Sequence, residues 1–179
     1  MKPFKLFLAA LTLSAGPLYA AEIICGPYVD SVKTNQAAMR FTTDITTVAW
    51  VTYGPEPSCG VYMTLSQGTR HNVKVYGLPV DKDYCYNVYL SVPDSTSTYK
   101  AAEGRFKTLA QPSKNRIDFL ITGNSGDGSG EQYAMAAQME SFSPDFMIHT
   151  GNLTRTGDLR NADEGFFAPY KRLLARMPV

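Results

Sequence analysis

The chain has 179 residues, with 17 Lys and Arg against 16 Asp and Glu and a formal net charge of +1. Neutralising nucleic-acid phosphates needs a concentrated positive surface, and the sequence has no basic run, so a nucleic-acid partner is excluded. After the first twenty residues no apolar stretch approaches the ~18 residues of a membrane-spanning helix, which excludes a membrane span. About 159 residues remain, enough for one large domain or two small ones.

The first twenty residues have the pattern of a Sec-type signal peptide. Lys2 and Lys5 come before an apolar stretch from Leu6 to Ala15, and Ala20 supplies the small residue at which such peptides are cleaved. We therefore expect a mature chain that begins at Ala21 and is secreted to the periplasm or the extracellular space. The alternative is an N-terminal anchor that stays attached to the chain.

Residues 21–109 have the pattern of an all-β domain. Short runs rich in β-branched and aromatic residues are separated by Gly, Pro, Asp and Ser, which is typical of a β-sandwich. The predicted strands are Ala37–Thr43, Thr46–Gly54, His71–Gly77, Tyr84–Val92 and Glu103–Leu109. Trp50 is expected in the core of this sandwich.

Three cysteines, Cys25, Cys59 and Cys85, lie in this predicted sandwich. Secretion makes a disulfide possible, and an odd number of cysteines leaves one thiol over. In the strand numbering of a complete sandwich, Cys59 follows the third strand and Cys85 lies in the sixth. Because those strands are neighbours, we predict a Cys59–Cys85 disulfide. Cys25 is then either a buried apolar residue or an intermolecular link.

The pattern changes after a predicted linker at residues 110–116. Residues 117–179 alternate apolar strands with helical periodicity, which is typical of parallel strands joined by crossover helices. The predicted strands are Ile117–Thr122 and Asp145–Thr150. A second amphipathic helix near the end of the chain is indicated by Phe166, Phe167, Tyr170, Leu173 and Leu174.

A helix is predicted between these two strands. Ser129 and Gln132 have the spacing of a capping box at its start. Met135, Met139 and Phe142 follow at helical spacing, so we expect them to form its buried face.

Each of the two strands is followed by a Gly-Asn pair, Gly123-Asn124 and Gly151-Asn152. Open α/β sheets place ligands at the carboxyl ends of their strands, so any chemistry is expected there. Divalent metals at a phosphate site need anionic oxygen ligands, whereas an Asn side chain offers a neutral amide. Asn at both positions, with Arg155 adding a positive charge, predicts a pocket that repels metal ions.

Four segments carry a resemblance to a known family: "CGPYVDS", "GRFKTLA", "SPDFMIHTGNL" and "FFAPYKRLLARMPV". They resemble the N-terminal part of the bacterial purple acid phosphatase-like metallophosphoesterases, which have a fibronectin type III-like sandwich followed by a two-metal phosphatase domain. The resemblance implies a fibronectin type III-like β-sandwich over residues 21–109. It also implies a truncated α/β metallophosphoesterase-like half-domain over residues 117–179.

The metal motifs of that family are altered in this sequence. The family's Gly-Asp-x-Gly corresponds to Gly123-Asn124-Ser125-Gly126, and its Gly-Asp-x-x-Tyr corresponds to the segment from Gly151 to Arg155. The resemblance therefore marks Asn124, Asn152 and Arg155 as degenerate metal-site positions. It assigns no metal ligand, no cofactor and no catalytic residue.

Two functions remain as hypotheses. The first is a secreted pseudoenzyme, derived from a metallophosphoesterase and used for binding or self-assembly, for example in a filament or surface structure. The second is a fragment of a purple acid phosphatase-like hydrolase that uses a dinuclear metal centre. Truncation alone would leave the aspartates intact, which favours the first. A coding sequence that continues past Val179 into a Gly-Asn-His motif would favour the second.

A half-domain with two strands and two helices is expected to leave one strand edge and much apolar surface uncovered. The apolar residues concerned are Phe119, Ile121, Phe146, Ile148, Phe166, Phe167 and Leu174. We therefore expect a homo-oligomer, or a partner chain that covers this surface.

Overall fold

The computed structural model describes residues 20–110, 116–154 and 156–179. The predicted signal peptide up to residue 19, the linker residues 111–115 and Arg155 lie outside the described residues. Among the described residues, no helix is long and apolar enough to cross a membrane.

The N-terminal part of the fold is a β-structure of five antiparallel strands. The strands are β1 (Ile23–Asp30), β2 (Gln36–Pro55), β3 (Tyr62–Tyr76), β4 (Asp83–Ser91) and β5 (Tyr99–Lys107). Their order is β1-β2-β4-β5, with β3 paired to β2. Alternating apolar side chains bury one face of β1, β2, β4 and the second half of β3, which is why these segments form a sheet with a core on one side.

Strand β2 corrects the sequence prediction, because two predicted strands are one continuous strand of 20 residues. Its first half pairs with β1, and its second half, Val48–Pro55, pairs with β4. Pairing with β3 runs along both halves and shifts register between Thr42 and Thr47. The two halves thus belong to the two layers that enclose the core. The first half of β3 was not predicted, because its outward side chains are apolar and hide the expected alternation.

The sandwich core gathers side chains from all five strands. It contains Val29, Val32, Ala37, Met39, Phe41, Ala49, Val51, Val73, Val75, Leu78, Tyr84, Tyr86, Val88, Leu90 and Phe106. The expectation that Trp50 belongs to this core is wrong. Ala49 and Val51 are buried on the core face, so Trp50 between them points to the opposite face, where it is half-buried beside Leu65 and Tyr89.

The C-terminal part contains a parallel pair of strands with a helix between them. The elements are β6 (Phe119–Thr122), α1 (Gly130–Ser141) and β7 (Phe146–His149). Strands β6 and β7 pair in parallel, Phe119 with Phe146 and Thr122 with His149. The chain continues through α2 (Leu159–Ala162), a π-helical turn (Asp163–Phe167) and α3 (Lys171–Leu174).

The start of α1 follows the prediction, but its buried face does not. Ser129 is the N-cap and accepts a hydrogen bond from the Gln132 backbone nitrogen. The buried residues are Gln132 and Ala136, with Met139 partly buried, whereas Met135 and Phe142 are 50% and 64% exposed. Gln132 is buried because its amide is satisfied at both ends: it accepts from the Gly128 nitrogen and donates to the Gly165 carbonyl.

Residues near the end of the chain connect this part to the sandwich. The carbonyl oxygen of Ala175 accepts hydrogen bonds from the Tyr86 hydroxyl (3.2 Å) and from the Arg105 nitrogen (3.0 Å). The Pro178 carbonyl accepts from the Met147 nitrogen (3.0 Å), and Pro178 bridges to Val29 of β1. Strand β7 is therefore connected to the sandwich through the last residues of the chain.

Candidate functional site

The loops after β6 and β7 lie against each other at the carboxyl ends of the strands. The Thr150 nitrogen donates to the Thr122 carbonyl (2.9 Å), and the Asn124 nitrogen donates to the Gly151 carbonyl (3.0 Å). Gly126 is pressed against the second loop, because a Cβ at this position would lie 2.3 Å from the Leu153 carbonyl oxygen. Only glycine permits this approach, which explains the glycine at position 126.

Asn124 and Asn152 are brought together at this edge. Both have left-handed backbone conformations, with φ of +52° and +57°, which Asn tolerates better than most residues. The side-chain nitrogen of Asn152 donates a hydrogen bond to the side-chain oxygen of Asn124. The two positions that the sequence marked as degenerate are thus direct neighbours, 28 residues apart in the chain. Arg155, the third, lies outside the described residues.

The amide pair changes the electrostatics of the strand ends. Two carboxylates at these positions would repel each other at hydrogen-bonding distance and would need a cation between them. Two amides instead satisfy each other, one as donor and one as acceptor. The described residues include no group of three or more His, Cys, Asp or Glu side chains placed to hold a metal ion. At this edge the two Asn side chains offer neutral oxygens, whereas a dinuclear metal centre uses anionic ligands.

Ser125 and His149 also meet here, at 3.0 Å between Ser125 Oγ and His149 Nε2. The Gly151 nitrogen donates to His149 Nδ1 (3.1 Å), so Nδ1 is an acceptor and the proton of the neutral ring is on Nε2. Nε2 then donates to the serine oxygen. Burial lowers the pKa of His149, which favours this neutral form.

The direction of that hydrogen bond decides what the pair can do. A serine nucleophile needs a base that accepts its proton, and here the imidazole donates to the serine. Ser125 is therefore held as part of the loop and is not activated as a nucleophile. The spacing of residues along the chain does not point to His149 as a partner of Ser125, because the two are 24 residues apart. The parallel pairing of β6 and β7 was the available signal, because it places the loops after both strands side by side.

Two of the nearby carboxylates accept hydrogen bonds from the backbone. Asp127 accepts from the Ser129 nitrogen (2.9 Å) and Asp158 accepts from the Asn161 nitrogen (2.8 Å). Asp163 begins the π-helical turn, and burial raises its pKa. These are roles of loop and helix-start carboxylates.

The cysteines lie away from the strand ends of β6 and β7. Cys59 and Cys85 form a disulfide, with 4.9 Å between their Cα atoms. Cys25 is a free thiol with 6% exposure, and burial, with the nearby charge of Asp163, raises its pKa to about 11. A thiol in this environment is a buried apolar residue and is not placed for a link between chains.

One face of the β6–β7 pair is covered and the other is bare among the described residues. Leu120 and Met147 pack into a second core with side chains from α1, the π-helical turn and α3. On the opposite face Phe119, Ile121 and Ile148 are 50%, 61% and 43% exposed. Of the other predicted surface residues, Phe166 and Leu174 are buried, Phe167 packs against the second core, and Phe146 stacks on Phe119.

No family model and no curated protein matches this chain. Among solved structures, it is similar to PhoD, with a TM-score of 0.64 and 16% identity over 91% of this chain and 39% of PhoD. It also matches the sensor domain of the anti-sigma factor RsgI4 in Pseudobacteroides cellulosolvens, with a TM-score of 0.40 and 16% identity over 54% of this chain and 97% of that domain. For the fn3 domain of human collagen alpha-1(XX) the TM-score is 0.35, with 16% identity over 60% of this chain and 95% of that domain. The chain thus has the fold of part of PhoD and spans 39% of its length.

Proposed function

We propose that this chain is a secreted, non-catalytic protein with a fold derived from a phosphoesterase, used for binding or self-assembly. The observation that carries the proposal is the hydrogen bond between Asn152 and Asn124. A hydrolytic metal centre would be expected at these strand ends, and two amides that satisfy each other need no metal.

The similarity to PhoD is compatible with an origin in a phosphoesterase fold. The neighbouring side chains support loss of catalysis. His149 uses one ring nitrogen to accept from Gly151 and the other to donate to Ser125, so no lone pair is available for a metal or for a proton from substrate.

Binding or assembly is supported by the bare face of the small sheet. Phe119, Ile121 and Ile148 form contiguous apolar surface on two paired strands. Soluble proteins seldom expose such a surface without a use for it. We propose that a second copy or a partner chain covers it.

Secretion is supported by the Cys59–Cys85 disulfide, because disulfides persist in oxidising compartments. The predicted signal peptide gives the same expectation.

The alternative is that the chain is a fragment of a metal-dependent phosphoesterase. The observation in its favour is the 39% coverage of PhoD. Under this alternative, further chain would have to supply the anionic ligands, and the amides at positions 124 and 152 would still face the metal site.

A hydrolysis assay tests the proposal. Mature protein should give no turnover of p-nitrophenyl phosphate above background with added iron, zinc or manganese. The double variant Asn124→Asp/Asn152→Asp should also be inactive, since it restores only two ligands of a larger set. His149→Asn, purified in parallel, is the control for a contaminating phosphatase. Metal-dependent turnover that follows the protein concentration and is changed by His149→Asn would contradict the proposal.

A sizing experiment tests the binding surface. Ile121→Lys/Ile148→Lys places two charges on the bare face, and Tyr133→Lys places one on the exposed surface of α1 as a control. Light scattering should show an assembly of the wild type, or of the wild type with a partner, whose mass falls in the double variant and not in Tyr133→Lys, because the double variant removes only the contacts made by this face. Association that is unaffected by the double variant would exclude this face.

A further inference from the structure

The edges of the five-stranded β-structure differ in how they are protected. Strand β1 is covered by the chain end, through the bridge from Val29 to Pro178. Strand β5 carries charged side chains along its length, at Lys100, Glu103, Arg105 and Lys107, and its Arg105 nitrogen donates to Ala175. Charges and covering segments are the usual protection of a strand edge against pairing with another chain.

Strand β3 is an edge without this protection in its first half. Among the described strands only β2 pairs with it. From Val61 to Thr69 the sequence is VYMTLSQGT, which contains no charged residue and no proline. Val61, Tyr62, Met63 and Leu65 are between 52% and 67% exposed. The second half of the same strand is different, because it carries Arg70 and Lys74.

The outer face beside this edge is apolar as well. Leu65 pairs across the sheet with Trp50, and Trp50 pairs with Tyr89 on β4. Directly opposed residues of antiparallel strands share one face, so these three side chains form one row that ends at Leu65 on the edge. A strand added beside β3 would continue this row.

We propose that residues 61–69, which are Val61 and the first half of β3, pair with the same residues of a second copy of this chain, as antiparallel strands across a two-fold axis. This interface is separate from the β6–β7 face and from the amide pair, and it goes beyond the proposed function. An uncharged, β-prone and exposed edge is a template for strand addition.

Charge favours a second copy as the occupant. Antiparallel pairing of identical strands about Leu65 places Met63 opposite Gln67 and Val61 opposite Thr69 of the partner. No like charges then face each other, and a charged partner would find no complementary charge on this segment. Such pairing is isologous, which closes the assembly as a dimer.

The size of the interface indicates a weak dimer. Each of the four exposed apolar side chains would lose roughly 100 Å², which gives on the order of 1,000 Å² over both copies when the backbone is included. This is at the low end for a specific interface, so the dimer should depend on concentration in the micromolar range.

Two variants on β3 test the proposal. Leu65→Lys places two like charges together at the two-fold axis, while the lysine stem still packs beside Trp50 in each copy. Tyr76→Lys is the matched control, because Tyr76 is 62% exposed on the same strand but outside the pairing segment. Sedimentation should show a dissociation constant raised about tenfold or more by Leu65→Lys and unchanged by Tyr76→Lys. Thermal unfolding of both variants should match the wild type.

Hydrogen exchange gives a readout at the backbone. Amides of residues 61–68 should become more protected from exchange as the wild-type concentration rises. The variant Ile121→Lys/Ile148→Lys should still dimerise, and the protection of its β6 and β7 amides should not change with concentration. A monomeric wild type, or a dimer that Leu65→Lys leaves intact, would overturn the proposal. Dimerisation that is lost only in Ile121→Lys/Ile148→Lys would also overturn it, and would support the β6–β7 face as the binding surface. Binding of a different protein at β3 by a monomeric chain would also overturn it.

Discussion

The side-chain amide of Asn152 donates a hydrogen bond to the side-chain carbonyl of Asn124, across the loops that follow the two parallel strands. The pair holds these loops together without any net charge. Its partners are defined, one donor and one acceptor, so exchanging either amide for a carboxylate has a predictable effect.

The double substitution Asn124→Asp/Asn152→Asp should destabilise the protein at neutral pH by about 1–3 kcal/mol. The two carboxylates would have no donor between them, and their repulsion would raise the pKa of one of them in the folded state. The folded state then binds more protons than the unfolded state, so stability is present below about pH 4 and is lost as pH rises through the raised pKa. Chemical unfolding at pH 4 and pH 7 measures this change.

The single variants are controls for that prediction. In Asn124→Asp the new carboxylate still accepts from Asn152, and in Asn152→Asp the Asn124 amide can rotate and donate to the new carboxylate. Each single variant should therefore lose less than half as much as the double variant, and calcium or manganese should stabilise only the double variant. Additive losses from the singles would contradict the role of the pair.

Stability should fall as the pH drops below about 6.5, the ordinary histidine pKa. Burial lowers the pKa of both His149 and His71 in the folded protein. The unfolded state therefore binds more protons, and the stability present above pH 6.5 is lost as the pH falls toward the lowered values. The free energy of unfolding measured from pH 7.5 to pH 5 gives the slope.

His149→Asn tests the contribution of one histidine to that slope. The Asn side-chain oxygen can take the place of Nδ1 and accept from the Gly151 nitrogen, so the loop is retained while the titrating group is removed. The pH slope should become shallower, with His71 supplying the remainder. An unchanged slope would show that His149 does not titrate differently in the two states.

Removing the Cys59–Cys85 disulfide should cost about 3 kcal/mol on the chain-entropy estimate for a separation of 26 residues. The variant Cys59→Ala/Cys85→Ala, unfolded with guanidinium chloride beside the wild type, measures the loss. Cys25 should remain unreactive toward iodoacetamide in the native protein and react once upon unfolding, because its pKa is about 11 and it is buried. Rapid native labelling of Cys25 would contradict its buried position.

The packing of α1 against β7 predicts a contrast between two methionines. Met147 is 2% exposed, so Met147→Ala should cost about 2–5 kcal/mol through lost burial and the cavity left behind. Met135 is 50% exposed, and Met135→Ala should change stability by about 0.5 kcal/mol or less. Comparable losses of stability from both variants would mean that Met135 is buried, as the sequence analysis expected, and would contradict the buried face described above.

Local features of this protein could be read from its sequence. The second half of β3 and the position of β4 follow from alternating apolar residues, and the start of α1 follows from Ser129 three residues before Gln132. The strand ends with Asn124 and Asn152 were identified because apolar runs stop there. All of these depend on interactions between residues close in the chain.

Tertiary structure decided which of two possible faces α1 buries. Met135, Met139 and Phe142 have helical spacing, but so do Gln132, Ala136 and Met139. The second set is buried because Gln132 finds a partner in Gly165, 33 residues away, and no local pattern contains that contact.

The pairs at the strand ends also depend on the tertiary structure. Ser125 lies 24 residues from His149, and Asn124 lies 28 residues from Asn152. The sequence by itself determined that an asparagine follows the end of each apolar run, at two separate positions. Only parallel pairing of β6 with β7 decided that the two amides touch and that His149 donates to Ser125, because both contacts join loops that meet only when the strands are side by side.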